Sequence, residues 1–358
     1  MKPARDSWLN PALGLLMCTL AGGGFAWLHI PLPWLLGPLL AMAVCNFAGA
    51  ELRAVRGARE TGQIAIGIAL GLYFTPEVGR YVLSHWLLLL GAGVFAIALG
   101  VLGGVILARL GDVDRGTAFF ASVPGGAAEM TLLGERYGAR PDRIALAQSL
   151  RILIVVFVVP FALTYSGAHG TDPYVAAAGS SLDWQRLGLL IGGAALVGLA
   201  ITRAGLPNAF MFGPLALTIV LTTCEVRLSA IPTELTNVAQ LLIGWVLGSR
   251  FERRSLASAP RYVSAAVASI LVGIACAAAF GAALAWASGL SVATLVLATA
   301  PGGIAEMCIT AKVLQLGVPF VTAAHVSRVF LLILSTGPVY RGALALQQRF
   351  AKHKDLKE

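Results

Sequence analysis

Two acidic residues in this chain sit in the same unusual setting. Glu129 closes the run Pro124-Gly125-Gly126-Ala127-Ala128-Glu129-Met130, and Glu306 closes Pro301-Gly302-Gly303-Ile304-Ala305-Glu306-Met307, 177 residues later. A Pro-Gly-Gly run breaks a helix, because Pro lacks the N–H and crowds the preceding turn while each Gly eases irregular backbone. A new helix starting at Ala127 or Ile304 would place each carboxylate at its third position. Two arginines accompany the acids. Arg151 lies nine residues beyond Asp142, or about 13 Å along a helix, and Arg328 holds the matching place in the second copy. An Arg at mid-membrane costs on the order of 3 kcal/mol or more, so a partner is expected, and Glu129 and Glu306 are the nearest candidates. Two readings follow. Each Glu and Arg could form a fixed ion pair across the break. Alternatively, the four charges and the amides of Gly125, Gly126, Gly302 and Gly303 could bind an ion or substrate, since free N–H groups at a helix start attract carboxylates and phosphates.

Three residues before each arginine the copies diverge, with Gln148 in one and His325 in the other. Such residues share the arginine's helical face. A histidine titrates near neutral pH, which makes His325 the choice for proton coupling; the plainer alternative is a His hydrogen-bonded in a helix interface. Gln63 and Gln240 keep the 177-residue offset as well, on segments whose glycines (Gly67 and Gly71, Gly244 and Gly248) recur four apart. That spacing reads first as close helix packing, and the glutamines are the feature that suggests more.

These residues have to be positioned by apolar segments. The 358 residues are 58% hydrophobic and 12% charged, with a mean hydropathy of +0.81; a soluble protein carries roughly 25% charged residues. The class is therefore a multi-pass, all-α membrane protein. A net charge of +9 could suggest nucleic acid, but the basic residues lie in short segments and form no continuous patch. The cysteines (Cys18, Cys45, Cys224, Cys276, Cys308) fall in apolar spans without CxxC spacing and read as small core residues, and the histidines are scattered. Neither a metal site nor a cofactor is expected.

Along the chain, Ala12–Leu28 follows Lys2 and Arg5 in the layout of a signal peptide. Its echo Leu187–Ile201 sits at the same place in the second half, so a retained helix is expected. Further spans are Leu32–Ala50 with Leu206–Cys224, Gly62–Phe74 with Ala239–Phe251, Val82–Leu107 with Tyr262–Trp286, and Ile144–Tyr165 with Phe320–Tyr340. The pattern is an internal duplication: a membrane repeat over 1–166, a linker over 167–184, a second repeat over 185–346 and a charged tail over 347–358. If both Pro-Gly-Gly segments crossed the membrane, twelve segments would leave Arg250, Arg253, Arg254 and Arg261 outside. If each instead dips in and returns, every repeat has five spans and the second inserts upside down. Then 20 of the 26 Lys and Arg are cytoplasmic, as the positive-inside rule prefers. Ten spans with two re-entrant hairpins, both termini cytoplasmic, is the expected topology, and inverted repeats with broken helices are the plan of secondary transporters.

The doubled Pro-Gly-Gly-x-Ala-Glu-Met motif, the paired Gly-Pro spans (Gly37-Pro38, Gly213-Pro214) and the Gln/His-x-x-Arg helices resemble the AbrB duplication family of bacterial membrane proteins, over about residues 10 to 345. This is distinct from the small DNA-binding protein of the same name. The resemblance implies an inner-membrane location and a regulatory phenotype, since members carry names such as ammonia monooxygenase and regulator of gene expression. From the residues themselves, the expected function is ion-coupled secondary transport of a small anionic or carboxylate solute. The alternative is a membrane-embedded regulator that acts through a partner without binding DNA. An oxygenase would need convergent His or carboxylate ligands, so no enzyme is expected. Lipid and a small solute or ion are the expected partners, nucleic acid is not, and a homodimer is an allowed assembly.

Overall fold

The computed structural model describes residues 6–168, 170, 182–226, 228–251 and 259–355, and every regular element among them is an α-helix. Residues 1–5, linker positions 171–181 with Asp172, Arg253 and Arg254, and residues 356–358 lie outside the described residues. The first half contains α1 (Asp6–Trp27), α2 (Pro33–Phe47), α3 (Ala58–Gly71), α4 (Pro76–Ser84), α5 (Trp86–Leu110), α6 (Arg115–Ser122), α7 (Ala127–Arg136) and α8 (Pro141–Tyr165). The second half contains α9 (Trp184–Arg203), α10 (Ala209–Thr223), α11 (Thr233–Gly248), α12 (Pro260–Ser288), α13 (Val292–Thr299), α14 (Ile304–Leu314) and α15 (Val318–Asp355). Helices α5, α8, α9 and α12 and residues Val318–Gly342 of α15 are long and apolar enough to cross a membrane. They also turn large apolar side chains outward, among them Leu87, Leu189 and Leu334. A surface of that kind suits lipid, as in a membrane protein.

Local signals explain most of the boundaries. Proline opens α2, α4, α8 and α12, where its missing N–H costs nothing. The Asp114 carboxylate accepts from the Thr117 amide at 2.7 Å and caps α6. One boundary departs from expectation: the span expected over Val82–Leu107 is two helices. Thr75 caps α4 by accepting from Val78 N–H, and His85 leaves helical geometry before α5 begins at Trp86. The Thr75-Pro76 pair is a helix-start signal that lies ahead of the expected span, so α4 takes in the span's first residues. The charged tail expected from Gln347 continues α15 as helix to Asp355.

The helices form two groups. Helices α1 to α3 pack with α9 to α11, and α5 to α8 pack with α12 to α15. Direct contacts between the groups are sparse, made mainly by α14 and α15 on α3, and α4 bridges the groups by touching α10 and α15. Within the first group the same contact is built twice. A Cβ on Gly67 would meet the Met211 carbonyl at 2.9 Å and Pro214 at 3.0 Å, and one on Gly244 would meet the Leu35 carbonyl and, at 3.2 Å, Pro38. Thus α3 seats a glycine on the Gly-Pro turn of α10, and α11 seats one on that of α2. Helices α3 and α11 pack on each other where Gly62 faces the Ala239 carbonyl.

Each helix pair flanking a Pro-Gly-Gly break folds back on itself. The Arg140 amide, just past α7, donates to Thr117 Oγ1 in the first turn of α6 at 2.8 Å. In the second half, Gly317 just past α14 lies against Thr294 in the first turn of α13. Two helices running on in one direction would separate these ends by roughly 30 Å at 1.5 Å per residue. Both segments are hairpins.

Candidate functional site

Each hairpin tip leaves two sets of backbone groups exposed: carbonyls where the first helix ends and amides where the second begins. The buried cations answer the first set. Arg151 donates to the carbonyls of Val123 and Gly125, both at 2.9 Å. Arg328 donates to those of Ala300 at 2.6 Å and Gly302 at 2.5 Å, the same atoms shifted by 177 positions. Gln148 Nε2 donates to the carbonyls of Phe120 at 3.0 Å and Val123 at 2.9 Å. His325 Nε2 lies 3.1 Å from the carbonyl of Leu297, the counterpart of Phe120. The carbonyl partner assigns the ring proton to Nε2, and Nδ1 has no hydrogen-bond partner among the described residues. Gln148 and His325, chemically different, thus hold the same end of the same half-helix.

The acids answer the second set. Glu129 and Glu306 stand at the third position of α7 and α14, as the sequence predicts, with Gly126 and Gly303 capping. Both carboxylates fold back over those glycines, so that any Cβ there would collide with them. The preceding glycines are covered by methionine in the same way, Gly125 by Met130 and Gly302 by Met307. This accounts for the motif: each Gly admits the side chain of the residue five or three positions on. A negative charge at a helix start and a positive charge at a helix end both match the backbone dipole. The expected Glu–Arg ion pairs are absent among the described residues, whose ion pairs join Asp142 to Arg140 and Arg143, and Asp183 to Arg186. Neutralisation runs through the helix ends. The Gly125 amide is also engaged, donating to the Val123 carbonyl at 2.8 Å.

Both breaks open onto one cavity of about 60 Å³, on the boundary between the two helix groups. Its walls include Pro124, Gly125, Gly126 and Arg151 from one half, and Gly302, Gly303, Glu306 and Arg328 from the other. Gln63 also lines it; the side chain is 8% exposed and has no hydrogen-bond partner among the described residues. Space of this size suits a bare ion or a few waters. Not every predicted residue reaches it. Gln148 and His325 are buried behind the tips, Glu129 is half-buried beside it, and Pro301 lines other small spaces next to α12. Gln240 lines a different cavity. Sequence reasoning missed Arg59, Asn208 and Arg250, which line the cavity with Arg59 Nη2 3.4 Å from Asn208 Oδ1. Their signal was two arginines flanking the paired Gln-containing helices, which reads equally well as a loop charge. The cysteines are free, and Cys224 is exposed at the end of α10 instead of in the core.

Comparison with known proteins fits this picture. The chain is 29% identical over 296 residues to "Uncharacterized protein YhjN" of Bacillus subtilis (strain 168), covering 78% of this chain and 77% of that protein. It is 27% identical over 319 residues to "Putative regulator AbrB" of Escherichia coli (strain K12), covering 88% and 90%. The family described as "Transition state regulatory protein AbrB" matches residues 6–343, nearly the whole chain and both hairpins, and the protein belongs to the AbrB family.

Proposed function

We propose that this protein is an ion-coupled secondary transporter of a small anionic or carboxylate solute in the bacterial inner membrane. In this reading it is built from two inverted repeats of five spans, each carrying a re-entrant hairpin. The observation that carries the reading is the single cavity into which both hairpin tips open, with Arg151, Arg328 and Glu306 in its wall, between two sparsely connected helix groups. Broken helices meeting where two packed bodies can rock or slide are how carriers place a site at mid-membrane. The reciprocal glycine contacts of α3 with α10 and of α11 with α2 support a two-fold relation between the halves. Such a relation inverts one repeat because each has an odd number of crossings.

The mechanism follows from an asymmetry. Helix α14 packs against α3, whereas the corresponding pair, α7 and α11, hardly touch. The gap lies on the side of Arg59 and Arg250, which the positive-inside rule makes cytoplasmic. An anion would enter there, drawn by the two guanidinium groups, and meet the hairpin tips. Closing α7 onto α11 and parting α14 from α3 would then release it on the other face. Glu129 and Glu306 are the groups that a coupling cation or proton would neutralise.

Flux into proteoliposomes tests this, with labelled acetate, butyrate and pyruvate as probes under an imposed proton or sodium gradient. The double variant Glu129→Gln with Glu306→Gln should fold and lose gradient-driven flux. Full activity in that variant would refute the assignment. Labelling of single cysteines at Arg56 and Arg261 should find both on the cytoplasmic side; opposite sides would end the inverted-repeat reading. A regulator acting through a partner is the second reading, favoured by the printed name of the Escherichia coli relative, and it predicts no flux of any probe.

A further inference from the structure

A second cavity, of about 170 Å³, lies on the far side of the crossing of α3 and α11. The two cavities share those helices in exchanged roles. Helix α3 gives Gln63 to the first and Ile66 and Leu70 to the second, and α11 gives Ile243 and Leu247 to the first and Gln240 to the second. Each of these residues is matched at an offset of 177, so the second cavity is the counterpart of the first, with α14 as its outer wall.

Its polar lining comes from two helices: Gln240, 7% exposed and with no hydrogen-bond partner among the described residues, and Asn237 on α11, and Lys312 on α14. Among the described residues Lys312 has no ion-pair partner and no carboxylate lines the space. Ile66, Leu70 and Ile309 give the space its apolar lining. An amide that faces the space without a protein partner is free to hydrogen-bond a ligand, and an ammonium without a counter-ion beside it invites an anion. The volume exceeds what a halide needs, and the apolar lining calls for an apolar tail.

We propose that this cavity binds a short-chain carboxylate, its head on Lys312 and Gln240 and its alkyl tail against Ile66, Leu70 and Ile309. The site is independent of transport: it would hold the anion even in a protein that moved none.

Protection from chemical labelling tests it on the full-length chain. The five native cysteines are replaced, Asn237→Cys is introduced, and an uncharged maleimide reports access with sodium butyrate or with the bulkier gluconate at equal ionic strength. Butyrate should slow labelling several-fold. Lys312→Gln should abolish the protection, as should Gln240→Leu, which serves if the lysine variant does not fold. Arg59→Gln, in the other cavity, should keep it. Absence of protection in the parent overturns the proposal, as does protection that survives Lys312→Gln and Gln240→Leu or is lost in Arg59→Gln. Protection together with absent flux would sink the carrier reading alone.

Discussion

The two hairpins carry the same motif in different surroundings. Helix α14 is buried along most of its length, from Ile304 to Ala311, whereas α7 buries only Met130 and Gly134. Glu306 is 7% exposed while Glu129 is half-buried, and Leu132 on α7 faces outward where its counterpart Ile309 is enclosed. The backbone chemistry at the tips is nevertheless the same, carbonyl for carbonyl. What differs is the neighbour: α14 has α3 against it, and α7 has no equivalent cover from α11. The duplicated part is thus the hairpin and its internal caps. The unequal part is contact with the other helix group, which is what a moving carrier must change.

The strongest way to test the shared part is to remove its caps. Arg328→Ala would strand the carbonyls of Ala300 and Gly302 in a site where the arginine is 2% exposed. Losing two hydrogen bonds from a charged donor and leaving their acceptors buried should destabilise by about 3 kcal/mol or more. Arg151→Ala should cost somewhat less, because Gly125 lies at the more open tip. Lysine should rescue neither, since one ammonium cannot reproduce the two-pronged geometry. Thermal unfolding in detergent measures this, and unchanged midpoints in both alanine variants would refute the capping account.

Next in size are Gly303→Ala and Gly126→Ala, which sharpen the contrast. Both methyl groups would run into a Glu carboxylate. Glu306 is buried and has room only toward the cavity, so Gly303→Ala should cost about 1–3 kcal/mol. Glu129 has room, so Gly126→Ala should cost under about 1 kcal/mol. Equal losses would mean that the two tips are equally packed.

A test of unequal contact is the cysteine pair Leu132→Cys with Ile243→Cys, the counterpart of Ile309 beside Ile66. It should cross-link only when α7 closes on α11. Cross-linking that goes to completion without slowing flux would show that this gap takes no part in transport.

Much of this was legible in the sequence because helix breakers and charges are local. The breaks at Pro124 and Pro301, the helix starts at Ala127 and Ile304, and the acids at the third position all follow from residue type. That each break folds back instead of running on was the expectation from counting arginines. The partners of Arg151 and Arg328 did not follow, because charge attracts attention to charge, and backbone carbonyls carry no sequence signature. Nor did the division of Gln63 and Gln240 between two cavities. That division arises from the crossing of α3 and α11, which no single span encodes, although the spacing of Gly62 and Ala239 at the crossing point was visible once the halves were aligned.

The smallest expected effect decides the most. His325→Gln gives the second hairpin the chemistry of the first, where Gln148 already holds the equivalent carbonyl. A glutamine donates as the neutral imidazole does, so stability should change by less than about 1 kcal/mol. If capping is the whole role of His325, the pH profile of flux should not move either, and coupling must rest with Glu129 and Glu306. If the imidazole relays protons through its unpaired Nδ1, Gln cannot replace it, and the profile should flatten while the unfolding midpoint stays fixed. The converse exchange, Gln148→His, tests the same point from the other side. Because the carbonyls of Phe120, Ala121 and Val123 crowd that amide, a ring should fit poorly there and lower the midpoint without creating a new proton-dependent step.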